Sequence, residues 1–170
     1  ETAELAVNAA LTGHLLLSTF HANNASTVIP RLLDMKIEPF LLASTLEIIL
    51  SQRLVRKICD HCRYSAPVSQ EQLGKLPQEI AGQFSKKGVI YKGKGCPVCN
   101  QTGYLGRTSL FEIIRVTPEF EELVMNNPSA QSIWRLARQQ GSRSMFEDGI
   151  EKIKNGLTTF EEVFRVAPPN

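Results

Sequence analysis

Long apolar runs, internal repeats and a strong net charge are all missing from this chain of 170 residues. No stretch approaches the roughly 18–20 consecutive apolar residues of a membrane-spanning helix, so we expect no such helix in these residues. A formal charge of +2 is too small to argue for nucleic acid or an anionic membrane as a partner. The 42% of hydrophobic residues suffices for a packed core, and the 21% of charged residues is ordinary for a soluble protein.

An initiator methionine is also missing, and a helical pattern starts at once. Residues 1–12 (ETAELAVNAALT) are rich in Ala, Leu and Glu and stop at Gly13, which predicts a helix. Residues 14–20 (HLLLSTF) form a short apolar run without alternation, which predicts a buried parallel strand. Because one strand cannot make a sheet, we expect the chain to have been cut from a longer protein.

The rest of the pattern predicts more helices with strands between them. Helices are expected over about 26–35, 39–52, 70–76 and 78–84, and strands over 53–57 and 108–116. Four further helices are predicted from start signals at Thr117, Ser129, Ser144 and Thr158, and the last two signals are capping boxes. The sequence therefore predicts an α/β fold that ends in a small helical bundle.

The four cysteines fall into two C-x-x-C pairs, Cys59 with Cys62 and Cys96 with Cys99. Two residues between thiolates let one tight turn aim both sulfurs at a single ion, and four sulfurs make a closed tetrahedral shell for a structural zinc. The alternatives are disulfides or redox pairs, but no other cysteine suggests an oxidising compartment. His61 lies inside the first pair and is expected to be a bystander, because four thiolates already fill the shell.

Several stretches resemble one family, the hexameric traffic ATPases of type II secretion and type IV pilus assembly. The resemblance follows the chain in order through the opening ETAE (the residues just after the Walker B strand), residues 12–23 (TGHLLLSTFHAN, the histidine box), 31–35 (RLLDM), 39–41 (PFL), 52–54 (QRL), the two cysteine pairs (the zinc insertion), 102–107 (TGYLGR) and 156–163 (GLTTFEEV). Two small departures are Lys36, where the family usually has glycine, and Phe20, where it often has leucine.

The resemblance implies the C-terminal part of a RecA-like P-loop NTPase domain. It assigns residues 1–58 to the ATPase core, 59–100 to a tetracysteine zinc insertion, 101–116 to a return strand and 117–170 to a helical C-terminal subdomain. No Gly-x-x-x-x-Gly-Lys-[Ser/Thr] loop occurs in this sequence, and in the family that loop, the Walker B acid and the arginine fingers lie upstream. We therefore expect a parent ATPase that uses ATP and Mg, and no activity from this chain alone.

His21 and Arg107 are the candidate nucleotide residues. His21 follows the predicted strand at its carboxyl end, where open α/β sheets bind ligands, although a histidine there is more often a plain loop residue. The resemblance implies that His21 is the catalytic, nucleotide-sensing histidine and that Arg107 is nucleotide-binding. For Arg107, a surface arginine that steadies the zinc loop is the alternative. His14, at the far end of the run, is expected to have a structural role.

The resemblance further implies a homo-hexamer in the cytoplasm, at the inner face of the bacterial inner membrane. It would attach through platform proteins of that membrane and bind no nucleic acid. The alternative function is a zinc-ribbon module that binds nucleic acid, for which basic and aromatic residues should surround the cysteines. The motor ATPase is favoured because few aromatic residues accompany the basic run Arg53, Arg56, Lys57 and Arg63. A retraction-type pilus ATPase is disfavoured because that branch lacks the tetracysteine insertion. The choice between protein secretion and pilus assembly stays open.

Overall fold

The computed structural model describes residues 2–84, 88–126 and 128–169. The chain contains groups of helices with pairs of strands between them, which agrees with the predicted α/β class. In order they are α1 (Thr2–Leu11), α2 (Val28–Asp34), α3 (Pro39–Thr45), β1 (Ile48–Ile58), β2 (Arg63–Pro67), α4 (Gln70–Gly74), α5 (Gln78–Ala81), β3 (Val89–Gly93), β4 (Tyr104–Arg115), α6 (Pro118–Met125), α7 (Ala130–Gln139), α8 (Met145–Lys154) and α9 (Phe160–Val166), with short 3₁₀ turns at Ala25–Thr27 and Pro97–Cys99.

The strands form two small sheets. Strand β1 pairs with β4, and β2 pairs with β3. The second pair is antiparallel, from Arg63 opposite Gly93 to Pro67 opposite Val89. No helix among the described residues is long and apolar enough to cross a bilayer.

The chain divides into two compact units, each made from two stretches of sequence. One comprises Glu1–Ser51 and Glu112–Arg143, and the other Gln52–Phe111 and Ser144–Asn170. Four helices lie in the range predicted as one C-terminal subdomain. Helices α6 and α7 belong to the first unit, and α8 and α9 belong to the second. The division into four segments that the resemblance implies remains a prediction.

Each unit has its own apolar core. In the first, α2, α3, α6 and α7 bury a cluster that includes Ile29, Leu42, Phe120, Val124 and Ile133. In the second, α8 and α9 pack with β1, β3 and β4 through Val55, Ile90, Leu110, Ile150, Ile153, Phe160 and Val163. Helices α8 and α9 approach so closely that a Cβ on Gly149 would stand 2.6 Å from Val163, so glycine is required there.

The predicted buried strand over 14–20 is wrong. This segment has neither helix nor strand, and Leu15 and Leu17 are 92% and 91% exposed. A parallel strand needs neighbours to accept and donate its backbone hydrogen bonds, and the strands of the described residues pair only with one another. The apolar run therefore remains uncovered in this structure.

The predicted helix from Pro39 to about residue 52 is also too long. Helix α3 ends at Thr45, and strand β1 begins at Ile48 and contains the whole strand predicted over 53–57. The Val116 N–H donates to the Glu47 carbonyl at 2.8 Å, so pairing with the β4 segment replaces the helix here. Short apolar runs are ambiguous between helix and strand, and tertiary pairing decides such cases.

The helix start signals are confirmed with one correction. Thr117 precedes Pro118 at the start of α6, Ser129 caps α7, and Ser144 forms a capping box with Glu147. The cap of α9 is Thr159, whose side chain accepts from the Glu162 N–H, rather than the predicted Thr158. The Thr158 hydroxyl instead donates to the Arg56 carbonyl at 2.8 Å, which moves the start of α9 by one residue.

A buried carboxylate joins β1 to α9 in the second unit. The Glu162 side chain is only 1% exposed. Its oxygens accept from the Arg56 backbone N–H at 2.8 Å, from the Arg56 guanidinium at 2.8 Å and from Arg165 at 2.9 Å. Burial of this carboxyl would raise its pKa, but the hydrogen bonds from Arg56 and Arg165 lower the pKa of Glu162 to about 2. The ionised carboxylate is therefore part of the folded state.

Replacing Glu162 by glutamine should destabilise the second unit by about 1–3 kcal/mol at pH 7, because Arg56 and Arg165 lose the charged acceptor that both of them share. The folded pKa of Glu162 is about 2, and the unfolded value is about 4.3. Wild-type stability from this group is therefore present above about pH 4.3 and is lost as the pH falls towards about 2. Denaturant unfolding should show that the difference in free energy of unfolding between wild type and Glu162→Gln is smaller at pH 3 than at pH 7.

Glu71→Gln is the matched control for this experiment. Glu71 pairs with Lys75 at 2.7 Å, but its side chain is 79% exposed, so its loss should change stability little at either pH. If Glu162→Gln behaved like Glu71→Gln, the buried carboxylate would not stabilise the fold.

Candidate functional site

The turns that carry the two C-x-x-C pairs bring all four sulfurs together. The Sγ atoms of Cys59, Cys62, Cys96 and Cys99 lie within 4.8 Å of one another, so they could hold a metal ion. The Cys59–Cys96 and Cys62–Cys99 sulfur distances are both 3.9 Å, and Cys96 Sγ lies 3.7 Å from Cys99 Sγ. A tetrahedral zinc with Zn–S bonds of about 2.3 Å requires sulfurs about 3.8 Å apart. The donor set therefore fits zinc, and the four cysteines are not disulfide-bonded.

Close backbone approach at two glycines shapes this site. The Cys59 N–H donates to the Gly103 carbonyl at 3.0 Å, which joins the two knuckles. A Cβ on Gly93 would lie 2.1 Å from that same carbonyl oxygen, and Gly103 itself has a φ of +78°. Side chains at Gly93 and Gly103 would therefore push the two cysteine turns apart.

Backbone N–H groups point at one of the sulfurs. Cys99 Sγ accepts from the Cys96 N–H at 3.2 Å and from the Gly103 N–H at 3.3 Å. Burial would raise the pKa of Cys99, but these two hydrogen bonds lower it to about 6. Burial also raises the pKa of Cys62, to about 11. The backbone donors thus favour the thiolate of Cys99, whereas burial disfavours the thiolate of Cys62.

The histidine between the first two cysteines takes no part in the sulfur group. His61 is exposed, and it does not belong to the group of possible ligands found among the described residues. That His61 is a bystander stays a prediction.

A second network links the strands that carry the cysteines to α9, and neither residue spacing nor periodicity predicts it. The Tyr104 hydroxyl, next to Gly103, lies 2.9 Å from the Thr159 hydroxyl. The Arg56 guanidinium sits 4.2 Å from the centre of the Tyr104 ring. The Ile58 N–H, next to Cys59, donates to the Leu157 carbonyl at 3.0 Å. The segment that precedes α9 is therefore attached to both chains that leave the cysteines.

The two candidate histidines lie in the first unit and are exposed. His21 follows the uncovered apolar run, and the Arg31 guanidinium donates to its carbonyl oxygen. His14 Nδ1 lies 3.0 Å from the Thr12 hydroxyl, just after the end of α1, and the His14 side chain is exposed. The catalytic role of His21 stays a prediction.

Arg107 lies on β4 in the second unit, and its side chain is exposed. The preceding Gly106 has a φ of +76° inside the strand, in the left-handed region that favours glycine. The structure thus gives Arg107 an open position, and nucleotide binding by Arg107 stays a prediction.

Comparisons with known proteins agree along nearly the whole chain. Residues 1–165 match the family model described as "Type II/IV secretion system protein". A putative type II secretion system protein E of Escherichia coli K12 is 43% identical over 98% of this chain and 33% of its own length. The type II secretion system ATPase E of Vibrio cholerae is 40% identical over 98% of this chain and 32% of its own length. The type IV pilus assembly ATPase PilB of Thermus thermophilus is 42% identical over 96% of this chain and 18% of its own length.

Among solved structures, the pilus retraction motor PilT with bound ADP shares the fold. Its TM-score is 0.61 at 23% sequence identity, over 99% of this chain and 36% of that one. The present chain thus spans about a third or less of the lengths of the proteins it matches.

Cys96→Ser should remove a metal ligand and weaken zinc binding by more than about tenfold, because even the loss of an outer partner costs that much. The purified wild-type chain should contain one zinc ion by elemental analysis, and His61→Ala should contain as much. Hydrogen exchange in Cys96→Ser should rise first at the two cysteine turns and then in α9, because Tyr104 and Thr159 are linked. A zinc-free wild type with four reactive thiols would contradict the metal assignment.

Proposed function

Because the chain belongs to the type II/IV secretion system protein family, we propose that it is the C-terminal portion of a motor ATPase that powers type II secretion or type IV pilus assembly. The observation that carries this proposal is the match over residues 1–165, together with relatives named as a secretion ATPase and a pilus assembly ATPase. The chain corresponds to about a third of those relatives or less, so ATP hydrolysis is proposed for the whole protein.

In this proposal the nucleotide site is completed by residues outside this chain. The sequence has no phosphate-binding loop of the Walker A type, so ATP and Mg would be held elsewhere in the protein. The exposed leucines of residues 14–20 are consistent with a strand that pairs with the remainder of a RecA-like sheet. His21 would then stand at the carboxyl end of that strand, the edge where such sheets bind ligands.

Two residues of this chain are proposed to act at the nucleotide. The His21 imidazole would hydrogen-bond the terminal phosphate, or transmit its presence to a neighbouring element. Arg107 would contact phosphate or ribose oxygens with its planar guanidinium. The exposure of both side chains leaves them free to do so.

The four cysteines are proposed to hold a structural zinc. The closed sulfur shell has no open position, so the ion would stabilise the fold rather than activate water. Between residues 63 and 95 the described part of the chain, 63–84 and 88–95, has two short helices, the antiparallel pair β2–β3 and few buried apolar side chains. A metal at the base of this insertion would supply the missing folding energy.

The parent is proposed to act as a homo-hexamer on the cytoplasmic face of the inner membrane, held there by platform proteins. The alternative, a nucleic-acid-binding zinc ribbon, has one feature in its favour, the basic and aromatic side chains of the β2–β3 hairpin. Arg63 lies 4.9 Å from the Tyr91 ring centre, and Lys94 lies 5.3 Å from that of Tyr64. These cations cover one face of each ring, and the family match does not favour this alternative.

The isolated chain should show no ATP hydrolysis and very weak ATP binding, because the residues that would cradle the phosphates are outside it. The full-length protein, assayed at the same concentration, should hydrolyse ATP. A phosphate-release assay against a heat-denatured sample makes the comparison. Turnover by the isolated chain clearly above that background would show that the active site has been misplaced.

His21→Ala in the full-length protein should lower kcat by about 10²–10³-fold and change ATP affinity little, because a single positioned polar group at the reacting phosphate is lost. His14→Ala is the matched control. Its side chain is exposed and contacts only the Thr12 hydroxyl in the described contacts, so rate and melting temperature should stay close to wild type. Wild-type turnover in His21→Ala, with a folded but inactive His14→Ala, would reverse the two roles.

A further inference from the structure

The loop that carries His21 is anchored firmly at its C-terminal end. The Asn24 side chain accepts from the Thr27 N–H at 3.2 Å and so caps the 3₁₀ turn that leads into α2. The carboxylate of Glu112, itself buried, accepts from the Ala25 N–H at 2.9 Å. Ala25 is 1% exposed. These two hydrogen bonds therefore fix the direction of the backbone that follows Asn24.

The other side of the loop is held by one arginine of α2. The Arg31 guanidinium donates to the carbonyl oxygen of His21. The same guanidinium lies 5.2 Å from the ring centre of Phe20. A guanidinium can make both contacts at once, because its N–H groups lie in its plane and its flat face stacks on aromatic rings. Arg31 thus contacts two consecutive residues, Phe20 and His21.

We propose that Arg31 is a positioning residue that orients His21 for the terminal phosphate of the nucleotide. The hydrogen bond to the His21 carbonyl holds the peptide plane that follows the His21 Cα, and the contact with the Phe20 ring holds the side chain just before it. Together these contacts restrict the direction of the His21 Cα–Cβ bond. The imidazole itself stays free to face a ligand. The inference rests on the proposed role of His21. It adds that this role depends on a side chain ten residues away that touches no substrate.

The test uses the full-length protein with Arg31→Ala, His21→Ala and the double variant. Arg31→Ala should lower kcat by about 10–100-fold and leave the KM for ATP nearly unchanged, because small misplacements of a catalytic group cost about that much. The double variant should be no slower than His21→Ala alone, since a residue that acts only through His21 has nothing left to position. Arg31→Lys, which keeps a donor for the His21 carbonyl, should recover part of the rate.

Arg138→Ala is the matched control. Arg138 also lies on a helix of the first unit, donates to a backbone carbonyl, that of Ser142, at 3.0 Å, and sits 5.9 Å from the centre of the Trp134 ring. It should therefore lose similar contacts with less than about a twofold change in kcat. Hydrogen exchange on the isolated chain should be faster over residues 14–24 in Arg31→Ala, and unchanged there in Arg138→Ala.

The outcomes separate the inference from the function on which it rests. If His21→Ala hydrolyses ATP at the wild-type rate, the role of His21 fails. If His21→Ala is slow but Arg31→Ala matches Arg138→Ala, the inference about Arg31 fails alone. Additive losses in the double variant would likewise overturn it, because Arg31 would then act independently. Should Arg31→Ala melt far below wild type, Arg31→Lys paired with His21→Ala provides the same cycle.

Discussion

The close approach of four cysteine sulfurs, at the end of β1 and before the start of β4, is the contact on which the structure of the second unit depends. Residues 63–95 depart from one cysteine turn and return to the other, so the two turns must stay together for the insertion to close. The Cys59 N–H to Gly103 hydrogen bond and the close approach of Gly93 to Gly103 hold the backbones there. A metal would add the one strong attraction that four neighbouring thiols cannot supply by themselves.

The same strands are also attached to α9 by charged and polar side chains. Glu162 on α9 accepts from the backbone and side chain of Arg56 on β1, while Tyr104 on β4 reaches Thr159. A buried carboxylate is tolerable only when its oxygens are fully hydrogen-bonded, and here the donors are two arginines and a backbone N–H. Helix α9 is therefore fixed to the strands by polar groups as well as by the apolar contacts of Phe160 and Val163.

What the sequence could predict were features with a local cause. The two cysteine turns follow from two-residue spacings, and the starts of α6, α7 and α8 follow from Thr117, Ser129 and Ser144, because each feature is decided within one turn of chain. The failures concern pairing at a distance. Whether residues 46–52 continue a helix or begin a strand depends on β4, more than fifty residues later, and the β2–β3 hairpin lacks the alternation that marks a strand. The contacts of Arg31 and Glu162 follow from no spacing or periodicity, although both residues lie in stretches that resemble the family.

The uncovered apolar run at residues 14–20 also depends on distant pairing partners. Three consecutive leucines predict burial, yet Leu15 and Leu17 face solvent and the segment forms no strand. Backbone groups of an apolar segment need partners before burial is favourable, and a strand obtains them only from adjacent strands. In the proposed motor, the remainder of the sheet would supply them. His21 would then be placed from two directions, by the sheet through residues 14–20 and by Arg31 through its carbonyl. A change on either side would reach the nucleotide through one histidine.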